Sequence, residues 1–284
     1  MPDSVLNKVT GAREFHVTSA DGTDIGCHVL GEGPPLLMVH GVAIDHSCFD
    51  RAKVPLSEHF TLYMMDRRGR GISGDSTDWT IGREFEDVQA MITGVAAATG
   101  GPINLFGHSL GGLCSVEAAS RTEAGMVRRF FLYDPAIPKP PRSPALIAIA
   151  DKLAAILRDT GDREKMIETH LLEWTKISPE VLARQKADTA RWARRLGWAH
   201  TIPREYKAGE IFAADLGLYG NIQVPTRVMV GEQSHQGLQD SARSLADTIS
   251  GSDLIVFKGA GHYGFTSDPP TFIAELVKFF KEDR

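Results

Sequence analysis

Gly107-His108-Ser109-Leu110-Gly111 is the segment whose residue types and spacing best suit chemistry. It follows the apolar run INLF and opens a helical pattern beginning LGGLCSVEAAS. A serine at such a strand-to-helix turn is forced into a strained conformation that stands its Oγ over the sheet edge. Gly107 and Gly111 lack the side chains that would collide where the chain reverses. The N–H of Leu110 faces the same space at the positive end of a helix, where it can hold a developing oxyanion. This arrangement suits nucleophilic attack by Ser109 on an acyl carbon. The pattern alone is weak, and its weight comes from lying between a strand and a helix.

The elements that must carry this turn follow from hydropathy. Residues 14–30 alternate polar and apolar side chains around Asp21-Gly22, which predicts an antiparallel hairpin. Runs at 34–41, 60–66, 103–109, 128–134, 226–232 and 252–259 are continuously apolar, as strands buried on both faces of a parallel sheet are. Helices are predicted over Gly82–Thr99, Leu110–Arg121, Leu238–Ile249 and Pro269–Lys281, the last capped by Asp268. The alternation predicts an α/β class with a doubly wound, mostly parallel sheet. Residues 135–224 are too long for one crossover and hold no convincing buried strand, so they are read as a helical cap inserted into a core of 1–134 and 225–284. Within it, 137–144 form a proline-rich hinge, and amphipathic segments run near 145–160, 162–175 and 179–196. Trp174, Trp192, Trp198, Tyr206, Phe212 and Tyr219 are expected to pack the cap onto the core and together to roof a pocket.

Besides GHSLG, the chain has His40-Gly41 after its third strand and Asp66-Arg67-Arg68-Gly69-Arg70-Gly71-Ile72-Ser73 after its fourth. With these motifs it resembles the α/β-hydrolase fold superfamily over essentially its whole length. The resemblance implies a second oxyanion donor in the N–H after the His-Gly pair, that of Val42, with Ala43 as the alternative if the loop is shifted by one. It makes His40 and the DRRGRG residues organisers of loops. Of ten histidines, His262 stands out: it lies in the glycine-flanked loop GAGHYGF after the last strand, over the edge where Ser109 points. A neutral imidazole there can take the Oγ proton and return it to a leaving group. His108 is expected to pack beneath the turn, while His46 and His235 are left without a role.

In most members of the superfamily the acid that orients the base follows the seventh strand. Here that run is Gly231-Glu232-Gln233-Ser234, with serine at the expected position. Asp134, ending the sixth strand in FFLYDPAIP, is the replacement, because that strand end adjoins the histidine loop. Glu232 and, more weakly, Asp240 are its rivals. The sixth-strand acid also resembles the enamide-type hydrolases of vitamin B6 breakdown, so amide or enamide substrates stay open.

Composition narrows the partners. Against 31 Lys plus Arg stand 36 Asp plus Glu, a net of −5, which attracts neither nucleic acid nor an anionic membrane. Cys27, Cys48 and Cys114 form no metal-ligand spacing, and no apolar run approaches a membrane span. The start of the chain carries no signal-peptide pattern. The expectation is a cytoplasmic protein without cofactor or metal, acting on a small molecule. In the cap, Arg184, Lys186, Arg191, Arg194, Arg195, Arg204 and Lys207 form a basic stretch, from which one arginine turned inward could pair with a substrate carboxylate. The leading functional expectation is a cofactor-independent serine hydrolase of a small carboxylic ester, lactone or related acyl compound, working through an acyl-enzyme. The alternatives are an amide or enamide hydrolase, a cofactor-free ring-opening dioxygenase of a heterocycle, and a non-catalytic small-molecule sensor.

Overall fold

The computed structural model describes residues 13–138 and 144–282, without the side chains of 209–211. Its centre is an eight-stranded sheet in the order β1-β2-β4-β3-β5-β6-β7-β8. The strands are β1 (Arg13–Thr18), β2 (Asp24–Leu30), β3 (Pro35–Val39), β4 (Thr61–Met65), β5 (Ile103–His108), β6 (Val127–Tyr133), β7 (Thr226–Gly231) and β8 (Asp253–Phe257). β1 and β2 pair antiparallel, as do β2 and β4. From β4 to β8 every pairing is parallel.

The continuous apolar runs have a two-sided explanation. In β3, Leu37 and Val39 enter one core while Leu36 and Met38 enter the other. In β6, Phe130 and Leu132 face the first layer, and Phe131 and Tyr133 the second. Because alternate side chains point to opposite faces, a strand covered on both sides must be apolar throughout. The first face is covered by α2 (Ile81–Thr99), α3 (Leu110–Arg121) and α10 (Gln236–Thr248), and the second by α1 (Asp50–Ser57), the short α11 (Gly264–Ser267) and α12 (Pro269–Lys281).

Local signals set the helix ends. Thr80 accepts from the Arg83 N–H at the start of α2, and Gly100 ends it in the left-handed conformation at φ 74°. Asp268 accepts from the Thr271 N–H at the start of α12, ahead of Pro269.

Between β6 and β7 lie α4 (Pro144–Thr160), α5 (Arg163–Thr169), α6 (Pro179–Ala187), α7 (Thr189–Gly197), α8 (Thr201–Ile211) and α9 (Leu216–Tyr219). A π-helical turn, His170–Trp174, continues α5. The segment expected as one helix over 179–196 is two, because Asp188 turns its side chain to the Arg191 N–H and starts α7 anew. Residues 139–143 of the proline-rich hinge lie outside the described residues, as does most of the N-terminal stretch read for a signal peptide. The helices form their own apolar cluster around Leu153, Ile167, Trp192, Trp198 and Ile202, and this cluster reaches down to Ala43. Among the described residues no helix is long and apolar enough to cross a membrane.

Candidate active site

Three strand ends converge at the C-terminal edge of the sheet. Ser109, between β5 and α3, has φ 56° and ψ −123°, a backbone conformation that costs a non-glycine residue about 1–3 kcal/mol. Packing enforces it. Val39 of β3 pairs with Gly107 of β5, and α3 leaves the turn so close to β3 that a Cβ on Gly111 would lie 2.3 Å from the His40 carbonyl oxygen. Gly41 approaches from the other side, where a Cβ would lie 2.7 Å from Ser109 Cβ. The strained serine is therefore clasped between a helix start and the His40-Gly41 loop.

Ser109 Oγ lies 3.1 Å from His262 Nε2, and His262 Nδ1 lies 2.8 Å from Asp134 Oδ2. Asp134 is fully buried. Its Oδ1 accepts from the Gly231 N–H at 2.9 Å and its Oδ2 from the Ser234 hydroxyl at 2.5 Å. Ser234, at the position where a carboxylate is expected after β7, thus donates to Asp134 instead. The sequence leaves Ser234 without a role; the signal available was a hydroxyl at the position where the acid is expected. The rivals lie elsewhere: Glu232 pairs with Lys258 and the Gly259 N–H, and Asp240 with Gln236 and Arg243.

The loop carrying His262 is pinned from below. The Tyr133 hydroxyl donates to the Gly261 carbonyl and accepts from the Gly264 N–H. His108, buried under the turn, donates from Nε2 to the His262 carbonyl at 2.9 Å. Burial and the neighbouring His262 hold His108 well below the usual histidine value, so it is a neutral strut.

His40 and the DRRGRG loop fix the opposite wall. His40 Nδ1–H donates to the Gly41 carbonyl at 2.9 Å while Nε2 accepts from the Arg67 N–H at 3.2 Å. Burial, with Arg70 and Arg67 nearby, lowers His40 to about 3, which keeps this neutral tautomer. Arg67 Nη1 donates to the same Gly41 carbonyl at 3.0 Å. A peptide unit is planar, so pinning the Gly41 C=O also fixes the direction of the Val42 N–H. Among the described residues no acceptor takes the N–H of Val42 or of Leu110. Ala43, the alternative donor, has φ 59° and packs into the helical cluster.

Arg67 is itself held by Glu84 of α2 at 3.1 Å and Glu205 of α8 at 2.7 Å, and Arg70 also reaches Glu205, at 2.8 Å. Arg68 is clamped by both oxygens of Asp87 at 2.6 Å.

His46 does not join the serine. It pairs with Asp66 at 2.8 Å, and His28 reaches the same carboxylate at 3.2 Å. Donor atoms of His28, His46 and Asp66 all lie within 4.8 Å of one another, the grouping most suited to a metal among the described residues. Each Asp66 oxygen already accepts two N–H groups, from His46 backbone and ring on Oδ1 and from His28 and the Ile72 backbone on Oδ2. Such saturation marks a loop anchor. His235 caps α10 by accepting from the Gly237 N–H.

A strained serine at a strand-to-helix turn, hydrogen-bonded through a histidine to a buried carboxylate on a mostly parallel sheet, defines a class, and the comparisons agree with it. The chain belongs to the alpha/beta hydrolase family, whose model matches residues 36–276. It is 27% identical over 263 residues to a pimeloyl-[acyl-carrier protein] methyl ester esterase of Nitrosospira multiformis, covering 88% of this chain and 95% of that protein. It is 24% identical over 236 residues to the (E)-2-((N-methylformamido)methylene)succinate hydrolase of Acinetobacter baylyi, covering 82% and 84%. An alpha/beta hydrolase of Sphaerobacter thermophilus superposes with a TM-score of 0.75 at 29% identity, over 94% of this chain and all of that one. The protein is a hydrolase of this family.

Proposed function

We propose that the protein is a serine hydrolase that cleaves a small carboxylic ester, or a lactone or amide of similar size, through an acyl-enzyme. The observation that carries this reading is the unbroken relay from Ser109 Oγ through His262 to Asp134, at 3.1 and 2.8 Å. Ser109 Oγ attacks the acyl carbon and gives its proton to His262 Nε2. Asp134 accepts from Nδ1–H, holds the ring in the productive tautomer and stabilises the imidazolium. The Val42 and Leu110 N–H groups receive the oxyanion, each contributing about 3 kcal/mol to the transition state. His262 then protonates the leaving group, and water, deprotonated by the same imidazole, releases the acid and restores the Ser109 hydroxyl. No step calls for a cofactor or metal.

The helices between β6 and β7 act in this reading as a cap that covers the site. Amide-type chemistry stays within it, since the Acinetobacter baylyi relative is named as the hydrolase of an N-acyl-type succinate derivative. A screen of esters, lactones and amides of graded acyl size tests the proposal. The expected result is turnover of at least one class that Ser109→Ala abolishes. Turnover surviving in that variant contradicts the reading.

A further inference from the structure

The carboxylate that faces the base sits on a strained backbone. Asp134 has φ 45°, a left-handed conformation uncommon outside glycine, and its N–H is bound to the Met229 carbonyl at 2.9 Å. Among the described residues no lysine or arginine pairs with it, so this fully buried carboxylate is held by hydrogen bonds. The terminal torsion of a carboxylate is soft and roughly two-fold, so donors on both oxygens are needed to set its plane. The Gly231 N–H supplies the one on Oδ1. On Oδ2 the Ser234 hydroxyl shares the oxygen with the ring N–H of His262.

Gly231 and Ser234 belong to one turn. The Ser234 N–H closes it on the Gly231 carbonyl at 3.1 Å, and the missing side chain of Gly231 makes room, since a Cβ there would lie 2.5 Å from Ser234 Oγ. The same turn grips the loop of the base. Gln233 N–H donates to the Ala260 carbonyl at 2.8 Å, two residues before His262, and Glu232 N–H to the Phe257 carbonyl at 3.0 Å. The turn's backbone therefore brackets acid and base together. The Ser234 side chain serves the acid alone: it is buried, and the one proton its hydroxyl can give goes to Asp134.

We propose that Ser234 is a positioning residue for acyl transfer: its hydroxyl fixes the plane of the Asp134 carboxylate so that Oδ2 meets the Nδ1–H of His262. The proposal rests on the hydrolase reading above and adds a residue to the same relay. Without that hydroxyl only Gly231 restrains the carboxylate, Oδ2 swings out of line with the ring, and the imidazole loses its fixed orientation toward Ser109 Oγ. The loss falls on the chemical step, because Ser234 lies behind the acid, with two side chains between it and the serine.

The test is a double-mutant cycle on 4-nitrophenyl esters. Ser234→Ala should lower kcat by about 10- to 100-fold and leave KM within about twofold. Ser234→Cys, which nearly keeps the shape but is a weak donor, should lose about as much, and it replaces alanine if that variant does not fold. In the Asp134→Asn background the same substitution should change kcat by less than about twofold, since the hydroxyl acts only through the carboxylate. Circular dichroism and a thermal melt establish that each variant is folded. Equal losses in both backgrounds, a loss carried by KM, or full kcat in Ser234→Ala would overturn the proposal. The rate at which a fluorophosphonate labels Ser109 reads the same relay without turnover, and it should fall by a similar factor in Ser234→Ala. If the wild type turns over ester and labels while Ser234→Ala matches it, the positioning role fails alone. Labelling of Ser109 without turnover of any ester contradicts the hydrolase reading, and the labelling rates then decide the role of Ser234. A wild-type Ser109 inert to both overturns both.

Discussion

Asp134 is the carboxylate proposed to orient His262, and it is buried at the end of β6. It accepts from Gly231, Ser234 and His262 at once. Asp134→Asn keeps the shape but presents a donor where Nδ1–H needs an acceptor. We expect kcat to fall by about 10⁴-fold, whereas Glu232→Gln leaves it within about twofold because Glu232 faces Lys258; steady-state kinetics on one ester checks both. Gly41→Ala is a steric test. Its Cβ would lie 2.7 Å from Ser109 Cβ, so displacing Ser109 should cost about 10²-fold in kcat while the overpacking destabilises the fold by only about 1–3 kcal/mol, as kinetics on the folded protein and a thermal melt would show. The meeting of Ser109, His262 and Asp134 was legible because each lies near a strand end whose chain order and flanking residues are visible in one dimension. Ser234, Tyr133 and the pinning of the Gly41 carbonyl by Arg67 were not, since those contacts depend on how three loops fold over one another.

At the scale of elements, the loop after β4 is held by a saturated carboxylate. Burial works against the charge of Asp66, but hydrogen bonds from His28 and His46 outweigh it and hold the carboxyl far below its ordinary value. A lowered folded value means stability that is present above the unfolded value of about 4 and lost as the pH falls below it. His46 has the opposite sign: burial lowers it, the bond to Asp66 more than compensates, and its contribution fades as the pH rises through the raised value. Asp66→Asn should therefore cost about 1–3 kcal/mol at neutral pH and flatten the loss of melting temperature between about pH 5 and about 2. An unchanged slope would contradict the clamp. The parallel strands were legible from their unbroken apolar runs, which a sheet covered on both faces requires. α1 and α8 were not, for Pro55 interrupts one and the charged Glu205 of the other turns inward to meet Arg67 and Arg70.

The whole molecule joins its helical upper part to the sheet through a few buried charges. Glu205 of α8 bridges Arg67 and Arg70, all three out of solvent. Removing its charge leaves two guanidinium groups underpaired in the interior, so Glu205→Gln should destabilise by about 3–5 kcal/mol. Because Arg67 also fixes the Gly41 carbonyl, the same variant should lower kcat; unfolding in urea and kinetics on the folded protein separate the two effects. This coupling ties activity to contacts that run from the Val42 loop to the His262 loop. The proposed reaction passes through a covalent acyl intermediate on Ser109. Acid-quenched intact mass spectrometry after mixing with 4-nitrophenyl acetate, followed by peptide mapping, tests it most directly. The account predicts one acetyl group on Ser109, absent in Ser109→Ala; release of 4-nitrophenol on turnover with no acylated peptide, or acylation elsewhere, would contradict it.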